Sequence, residues 1–248
     1  MNKFFTVNVN PTMTAAQQAV FADGDLMIDW YAFDIPNGGN KLISAYLKTR
    51  SANGTLQTHH AEVYFAKDLI IGDAVIEPKS LGSINASTTL SSKSQNNMIG
   101  FLASEEGTQV GTTMDFCYIQ RLSTIVKQGG LEQIIIQGEP NTGTLKGYSR
   151  VYVAITSADG DPDFRCTVKT NGGGTAGDAT LTVDTVSPLT VFSVGDVLID
   201  EDEQEIGTVA DLSASAITFD KNGLLNTVGD NKNIFSKSPL KLVLGFER

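Results

Sequence analysis

The stretch from Gly195 to Phe235 constrains the fold of this chain more than any other. It runs Gly195-Asp196-Val197-Leu198-Ile199, an acidic tip, Glu205-Ile206-Gly207-Thr208-Val209-Ala210, then Ala216-Ile217-Thr218-Phe219 and Asn233-Ile234-Phe235. Each apolar run is short, rich in β-branched or aromatic types, and bounded by Gly, Asp, Asn or Ser. Branched side chains suit a pleated, half-buried surface, and the bounding residues supply turn geometry. The pattern predicts short strands joined by tight turns, with nothing in it that reads as chemistry.

The rest of the chain has the same character. At 248 residues it suits one large domain or two smaller ones. Charged residues make up 19% of the sequence, below the roughly 25% usual for soluble domains. Gly, Ser, Thr and Asn take up the difference, as a turn-rich all-β chain requires. The net charge is −10, and no cluster of Lys and Arg marks a phosphate-binding face, so no nucleic-acid partner is expected. No apolar run reaches the ~18 residues of a membrane span, and Met1–Asn10 lacks the apolar core of a signal peptide. No membrane partner is expected, and the chain reads as made and assembled in a cytoplasm. Cys117 and Cys166 have no metal-type spacing and read as buried free thiols.

Taken in order, Phe5–Val9 alternates as a strand should. Thr14 and Gln17 form a capping-box pattern ahead of good helix formers, which predicts a short helix over Ala15–Ala22, ended by Gly24. Leu26–Phe33 and Leu42–Leu47 flank a turn at Pro36-Asn37-Gly38-Gly39 and read as paired strands. Asn53-Gly54 marks another turn, His60–Ala66 another strand, and the Ser/Thr/Asn-rich segment from Ile76 to Asn97 a long surface loop. Met98–Ala103, Met114–Gln120, Leu122–Lys127 and Gln133–Gln137 read as further strands, the last two around a Gly129-Gly130 turn. Arg150–Thr156 is the clearest strand of this half. About nine strands with hardly any helix predict an antiparallel sandwich of jelly-roll type.

Two sets of residues carry a resemblance. "GDVLIDEDEQEIGTVADLSASAITFDKNGL" resembles small β-barrel modules that recur in structural proteins of tailed bacteriophages. "GDLMIDWYAFDIPNGGNKLISAYLKT", "AEVYFAKD" and "YVAITSADGDPDF" resemble a virion-protein domain of tailed phages, especially those of marine or cyanobacterial hosts. The resemblance implies that the strand Tyr152–Ile155 is followed by a loop and a final strand, matched best by Ser238–Glu247. It therefore implies a main sandwich over 1–163, a small acidic β-barrel module over 164–237 inserted at a loop tip, and a last strand over 238–248 returning to the sandwich. Two domains in series, divided near Asp159-Gly160-Asp161-Pro162, is the alternative. Charge follows the division: residues 164–237 hold 11 acidic and 5 basic residues, and the remainder holds 17 and 13.

Asp200-Glu201-Asp202-Glu203-Gln204-Glu205 offers five carboxylates in six positions, but without the ligand ladder and central Gly of an EF-hand. It reads as a solvated hairpin tip that tolerates charge reversal at Glu201, Asp202 and Glu203. Asp159–Asp163 reads as a turn. His59 and His60, the only histidines, are strand neighbours pointing to opposite faces and cannot serve one metal or one proton relay. No Gly-x-Ser-x-Gly elbow occurs, and Cys117 lacks the context of a nucleophile. Gly172-Gly173-Gly174 lacks the Lys and helix of a phosphate loop and reads as a flexible connection. Trp30 and Tyr31 could stack on a sugar but read as core beside Leu26 and Ile28. No catalytic, cofactor or metal residues are assigned, and the chain reads as a non-enzyme.

The expected function, drawn from the resemblance, is that of a head decoration (cement) protein. It would bind a major capsid protein on the capsid surface of a virion and reinforce the shell through buried area. A homotrimer on a local threefold is the expected geometry. The alternative is a carbohydrate- or receptor-binding virion module at the tail or head surface, since fold does not fix function.

Overall fold

The structure, a computed structural model, describes residues 3–50, 60–89, 94–110, 117–123, 134–140, 147–159 and 161–248. Its first group of strands is β1 (Phe4–Val9), β2 (Leu26–Pro36), β3 (Asn40–Arg50), β4 (His60–Ala66), β5 (Leu69–Ile71), β6 (Ala74–Ile76), β7 (Met98–Val110), β8 (Cys117–Ser123), β9 (Ile135–Ile136), β10 (Glu139–Pro140) and β11 (Tyr148–Asp159). There follow β12 (Lys169–Thr170), β13 (Thr180–Asp184), β14 (Val197–Asp200), β15 (Glu205–Leu212), β16 (Ala216–Phe219), β17 (Ile234–Ser236) and finally β18 (Leu240–Glu247). Helix among the described residues is confined to three single 3-10 turns. The protein is all-β.

The larger sheet runs β1-β18-β3-β8-β7-β4-β11-β2, every pair antiparallel, with β9 beside the start of β3 and β10 beside the start of β11. One hydrophobic cluster draws inward residues from strands along this whole strip, including Val9, Ile35, Leu47, Val63, Leu102, Leu122, Val153 and Leu244. A sheet whose distant strands share one core must fold over on itself, and the result is a jelly-roll-like β-sandwich. The turn after β2 shows the fold-over directly. Only residues 37–39 separate β2 from β3, yet the two strands do not pair: β2 bonds to β11, and β3 to β18, β8 and β9. The expected β2–β3 hairpin is therefore a corner between the two leaves. Gly38 takes φ 104° there, and Asn40 Nδ2 closes the corner by donating to the carbonyls of Pro36 (2.7 Å) and Gly38 (3.0 Å).

The last strand lies inside this sheet, hydrogen-bonded to β1 on one edge and β3 on the other. Leu240, Leu242, Leu244 and Phe246 are fully buried and alternate with partly exposed Lys241, Val243, Gly245 and Glu247. That is the period-2 pattern of a strand with one face in a core. Phe5 and Phe246, paired across β1 and β18, stack at 5.2 Å.

The smaller sheet runs β12-β13-β16-β15-β14-β17. Its ends meet, because Ile234 N donates to Val168 O (2.9 Å), Thr170 N donates to Lys232 O (3.0 Å), and Lys169 bridges Asn233. The sheet thus closes into a small barrel around Val168, Leu181, Leu198, Ile206, Val209, Ile217, Phe219 and Ile234. The glycine run after β12 is close-packed and not a flexible connection. Gly174 and Val228 exchange two backbone hydrogen bonds of 2.9 Å, Gly173 takes φ 69°, and a Cβ on Gly174 would sit 2.6 Å from Leu224.

Two other expectations are corrected. The helix after Thr14 shrinks to one 3-10 turn, Ala15–Gln17, although its capping box forms as read. Tertiary contacts override propensity beyond it: Phe21 is fully buried and stacks edge-on against Phe164, and its N–H donates to Pro162 O. The segment after Ile76 is a covering layer and not a free loop. Leu81 and Ile84 pack with Leu26, Trp30, Tyr64 and Ala154, Trp30 Nε1 donates to Lys79 O (2.9 Å), and Leu81 N donates to Asp29 (3.0 Å). Of the remaining turn expectations, Asn53-Gly54 and Gly129-Gly130 lie outside the described residues, as do 114–116 and 124–133.

Candidate functional site

The larger and smaller cores meet at a buried charge cluster. Asp196 precedes β14 in a turn closed by its own N–H donating to Ser193 O, which leaves its carboxylate aimed at the larger sheet. Arg50, the last residue of β3, donates Nη2 to Asp196 Oδ1 (2.8 Å) and Oδ2 (2.7 Å), and its Nη1 donates to Ser193 Oγ. Lys241 of β18 donates to Asp196 Oδ1 at 2.7 Å, and Ser193 N–H to Oδ2 at 2.9 Å. The Asp196 side chain is fully buried, and those of Arg50 and Lys241 are 13% and 28% exposed. Every lone-pair direction of the carboxylate is used, as a buried anion needs. A second seam runs along residues 13–18: Met13 N donates to Lys237 O (2.9 Å) and Gln18 Nε2 to Ser236 O (2.7 Å).

Beside the charge cluster lies a cleft of about 240 Å³ lined by Lys48, Ile119, Val194 and Pro239 as well as Arg50 and Lys241. Lys48 and Lys241 stand opposite one another on the outer face of the β3–β18 pair. Among the described residues, three cations against the Asp196 carboxylate leave the cleft positive in a chain of net charge −10.

The acidic tip, 200–205, is stapled and not merely solvated. Asp200 is buried and its Oδ1 accepts the N–H groups of Asp202 (3.0 Å) and Gln204 (2.9 Å), shaping the turn. Glu201 and Asp202 both pair with Lys232, at 2.8 and 2.9 Å. Glu201 also accepts from Asn233 Nδ2 (2.9 Å), and these bonds hold its carboxyl below the usual range. Glu203, held at φ 65°, accepts the Ala15 N–H at 2.7 Å and so caps the 3-10 turn of the larger unit. Glu205 pairs with Lys237 at 2.8 Å. Glu201 and Asp202 share Lys232 while the other three carboxylates turn to separate partners, and among the described residues no group of three His, Cys, Asp or Glu converges to hold a metal ion.

A third feature stands at the opposite end of the larger sheet. The β5–β6 hairpin, Leu69-Ile70-Ile71-Gly72-Asp73-Ala74-Val75-Ile76, belongs to neither larger sheet nor barrel. Ile70, Ile71 and Val75 are 55%, 63% and 63% exposed. Its base is rigid, because Asn97 Nδ2 donates to both Lys67 O (2.9 Å) and Ile76 O (3.0 Å). Next to the base, Asp68 is buried near Tyr152, Glu77 and Arg150. Burial raises its carboxyl above the usual 3.8, the Tyr152 hydroxyl pulls it back, and the charge of Glu77 adds to the rise.

The other candidate residues separate. His59 lies outside the described residues, and His60 opens β4 opposite Asp159. Cys166 is a free thiol in the barrel core, where burial pushes it up to about 12; the Cys117 side chain lies outside the described residues. Asp163 is held by Arg165 at 2.8 Å. Trp30 packs under the covering layer, and Tyr31 packs against the main core. Sequence reading missed both the hairpin and the charge cluster. Gly72-Asp73 between apolar runs is a hairpin signal on its face, whereas nothing local to Arg50, Asp196 or Lys241 announces that they meet.

Compared with protein-family models, curated proteins and solved structures, the chain matches none.

Proposed function

We propose that this chain is a virion structural protein, a decoration protein that binds the major capsid protein of a tailed phage and reinforces the shell without a cofactor. The residues quoted above for the resemblance support the setting. The observation that carries the mechanical part is the junction. Arg50, Asp196 and Lys241 join the two cores through a fully buried carboxylate, and both chain crossings are hydrogen-bonded to the larger unit, Phe164 N donating to Ala19 O and Lys237 O accepting from Met13 N. A unit joined in this way suits the transmission of load from one core to the other, which is what reinforcement by contact demands.

In this reading residues 164–237 form an acidic knob on the sandwich, facing away from the shell and keeping particles apart by charge. The sandwich supplies the shell contact, with three copies around a local threefold. Quantitative mass spectrometry of purified particles tests the reading. Copy numbers on the scale of the whole shell support it. A handful of copies at the tail vertex would replace it with a carbohydrate- or receptor-binding module, and absence from particles would overturn both.

A further inference from the structure

We propose that the chain associates with a second copy of itself, seating the β5–β6 hairpin of one copy in the Lys48 cleft of the next. The hairpin presents apolar side chains on both faces: Ile70 and Val75 pair on one, Leu69 with Ile76 and Ile71 with Ala74 on the other. None of these residues belongs to a hydrophobic cluster of the described residues. Two strands alone are at best marginally stable in water, and a free apolar edge invites pairing. The clamp by Asn97 nevertheless holds this arm in place at its base. An arm that is built rigidly and left uncovered is completed by another surface.

The same chain carries a surface of matching chemistry. The arm bears Asp73 at its exposed tip, with Asp68 and Glu77 at its base. The cleft has Ile119, Val194 and Pro239 along its wall, Val194 being 64% exposed, and Lys48 and Lys241 at its rim. Lys48 lines the cleft and has no ion-pair partner among the described residues. At about 240 Å³ the cleft exceeds the ~150 Å³ that admits a benzene ring, so a branched aliphatic side chain fits. Charge and shape together assign the occupant as apolar with an acidic tip, and the hairpin has that description.

A copy cannot fill its own cleft. The antiparallel steps β3–β8, β8–β7 and β7–β4 place the end of β4, from which the hairpin springs, at the opposite end of the sheet from Arg50. Arm and cleft are different patches, so association proceeds until every arm is seated, in a closed ring or a reciprocal pair. Burying one hairpin gives well under the roughly 800 Å² per partner of a standard interface, so the contact is reversible and depends on concentration. The inference stands apart from the proposed virion role, because it concerns the free chain.

Analytical ultracentrifugation of the full chain across a concentration series tests it. The wild type is expected to form a species heavier than the monomer. Ile71→Asp, Asp73→Lys and Lys48→Glu are each expected to weaken that association at least about tenfold while leaving the thermal melt unchanged, since Ile71 and Asp73 are exposed and Lys48 lies on an outer face. Combining Asp73→Lys with Lys48→Glu restores it. Mixing Ile71→Asp, which keeps its cleft, with Lys48→Glu, which keeps its arm, yields a heterodimer. A wild type that stays monomeric throughout overturns the proposal, as does an oligomer indifferent to these variants, which uses another face. A monomer that still decorates particles would overturn this inference and leave the virion reading standing.

Discussion

Arg50 and Asp196 meet at 2.7 and 2.8 Å across the junction although 146 positions separate them in the chain. One Nη2 serves both carboxylate oxygens, and Lys241 adds a second cation to Oδ1 from the neighbouring strand. Removing the anion strands two cations in a half-buried place. Asp196→Ala is therefore expected to destabilise by about 3 kcal/mol, the low end for breaking a buried pair because Lys241 can partly reach water. Chemical denaturation measures it. A loss below about 1 kcal/mol would show that the cluster is solvated and does not hold the junction.

The last strand gives a larger effect. Leu244→Ala removes a fully buried side chain between β1 and β3 and should cost about 2–5 kcal/mol. Deleting Leu240–Arg248 removes four fully buried side chains worth about 1.5–3 kcal/mol each, a sum comparable with a whole domain's margin, and should unfold the sandwich. Conversely, replacing residues 166–237 with a short Gly-Ser linker should leave the larger core folded, as judged by near-ultraviolet circular dichroism. A deletion that spares the sandwich and loses only the barrel would favour two domains in series.

Glu203 separates two effects at one position. Glu203→Ala loses the bond to Ala15 N–H and keeps a side chain at φ 65°, whereas Glu203→Gly loses the same bond and relieves the left-handed backbone. The Gly variant should be the more stable of the two by about 1 kcal/mol in urea unfolding. Equal stabilities would mean that the tip relaxes out of that conformation.

Asp68 and Glu201 respond to pH in opposite senses. The Asp68 pKa is raised on folding, so its neutral form favours the fold below 3.8 and that contribution is lost as pH rises through the folded value. Asp68→Asn should therefore gain stability over the wild type as pH is raised from 3.8 to neutrality. Glu201 is lowered on folding, so its contribution is complete above 4.5 and disappears as pH falls through the folded value. Glu201→Gln should lose its disadvantage in acid. Melting curves over that range check both, and pH-independent differences would refute the assignments.

Cys166 should resist alkylation in the folded protein. With the thiol pushed up to about 12 in an apolar core, almost no thiolate exists near neutral pH. In a Cys117→Ser background, iodoacetamide should label Cys166 only after denaturation, and rapid native labelling would place it at the surface.

Much of the fold was legible from local pattern. The alternation of Leu240, Leu242, Leu244 and Phe246 announced a half-buried strand, and Thr14 with Gln17 announced a cap. What remained hidden depends on distant partners. The segment after Gln17 favours helix by composition, but burying Phe21 against Phe164 yields more than a few residues of propensity. Pro36–Gly39 has hairpin chemistry, yet a corner between leaves uses the same residues, and only the pairing of β2 with β11 distinguishes the two. The acidic tip looked solvated because Lys232, Asn233 and Ala15 are far away in sequence. The charge cluster was invisible for the same reason.

The position of β18 also orders events during synthesis. Phe4 pairs with Glu247 and Val9 with Leu242, so β1 finds its neighbour only when β18, far downstream in the chain, has emerged. Until then β1 and β3 each present an unpaired edge, and Leu47 and Val9 lack their cover. Barrel residues 164–237 emerge before that moment, and their closure brings Lys169 and Asn233 together, shortening the path between β11 and the arriving β18. A chain in which β18 has not yet docked thus carries open, aggregation-prone edges, and its docking closes the seam.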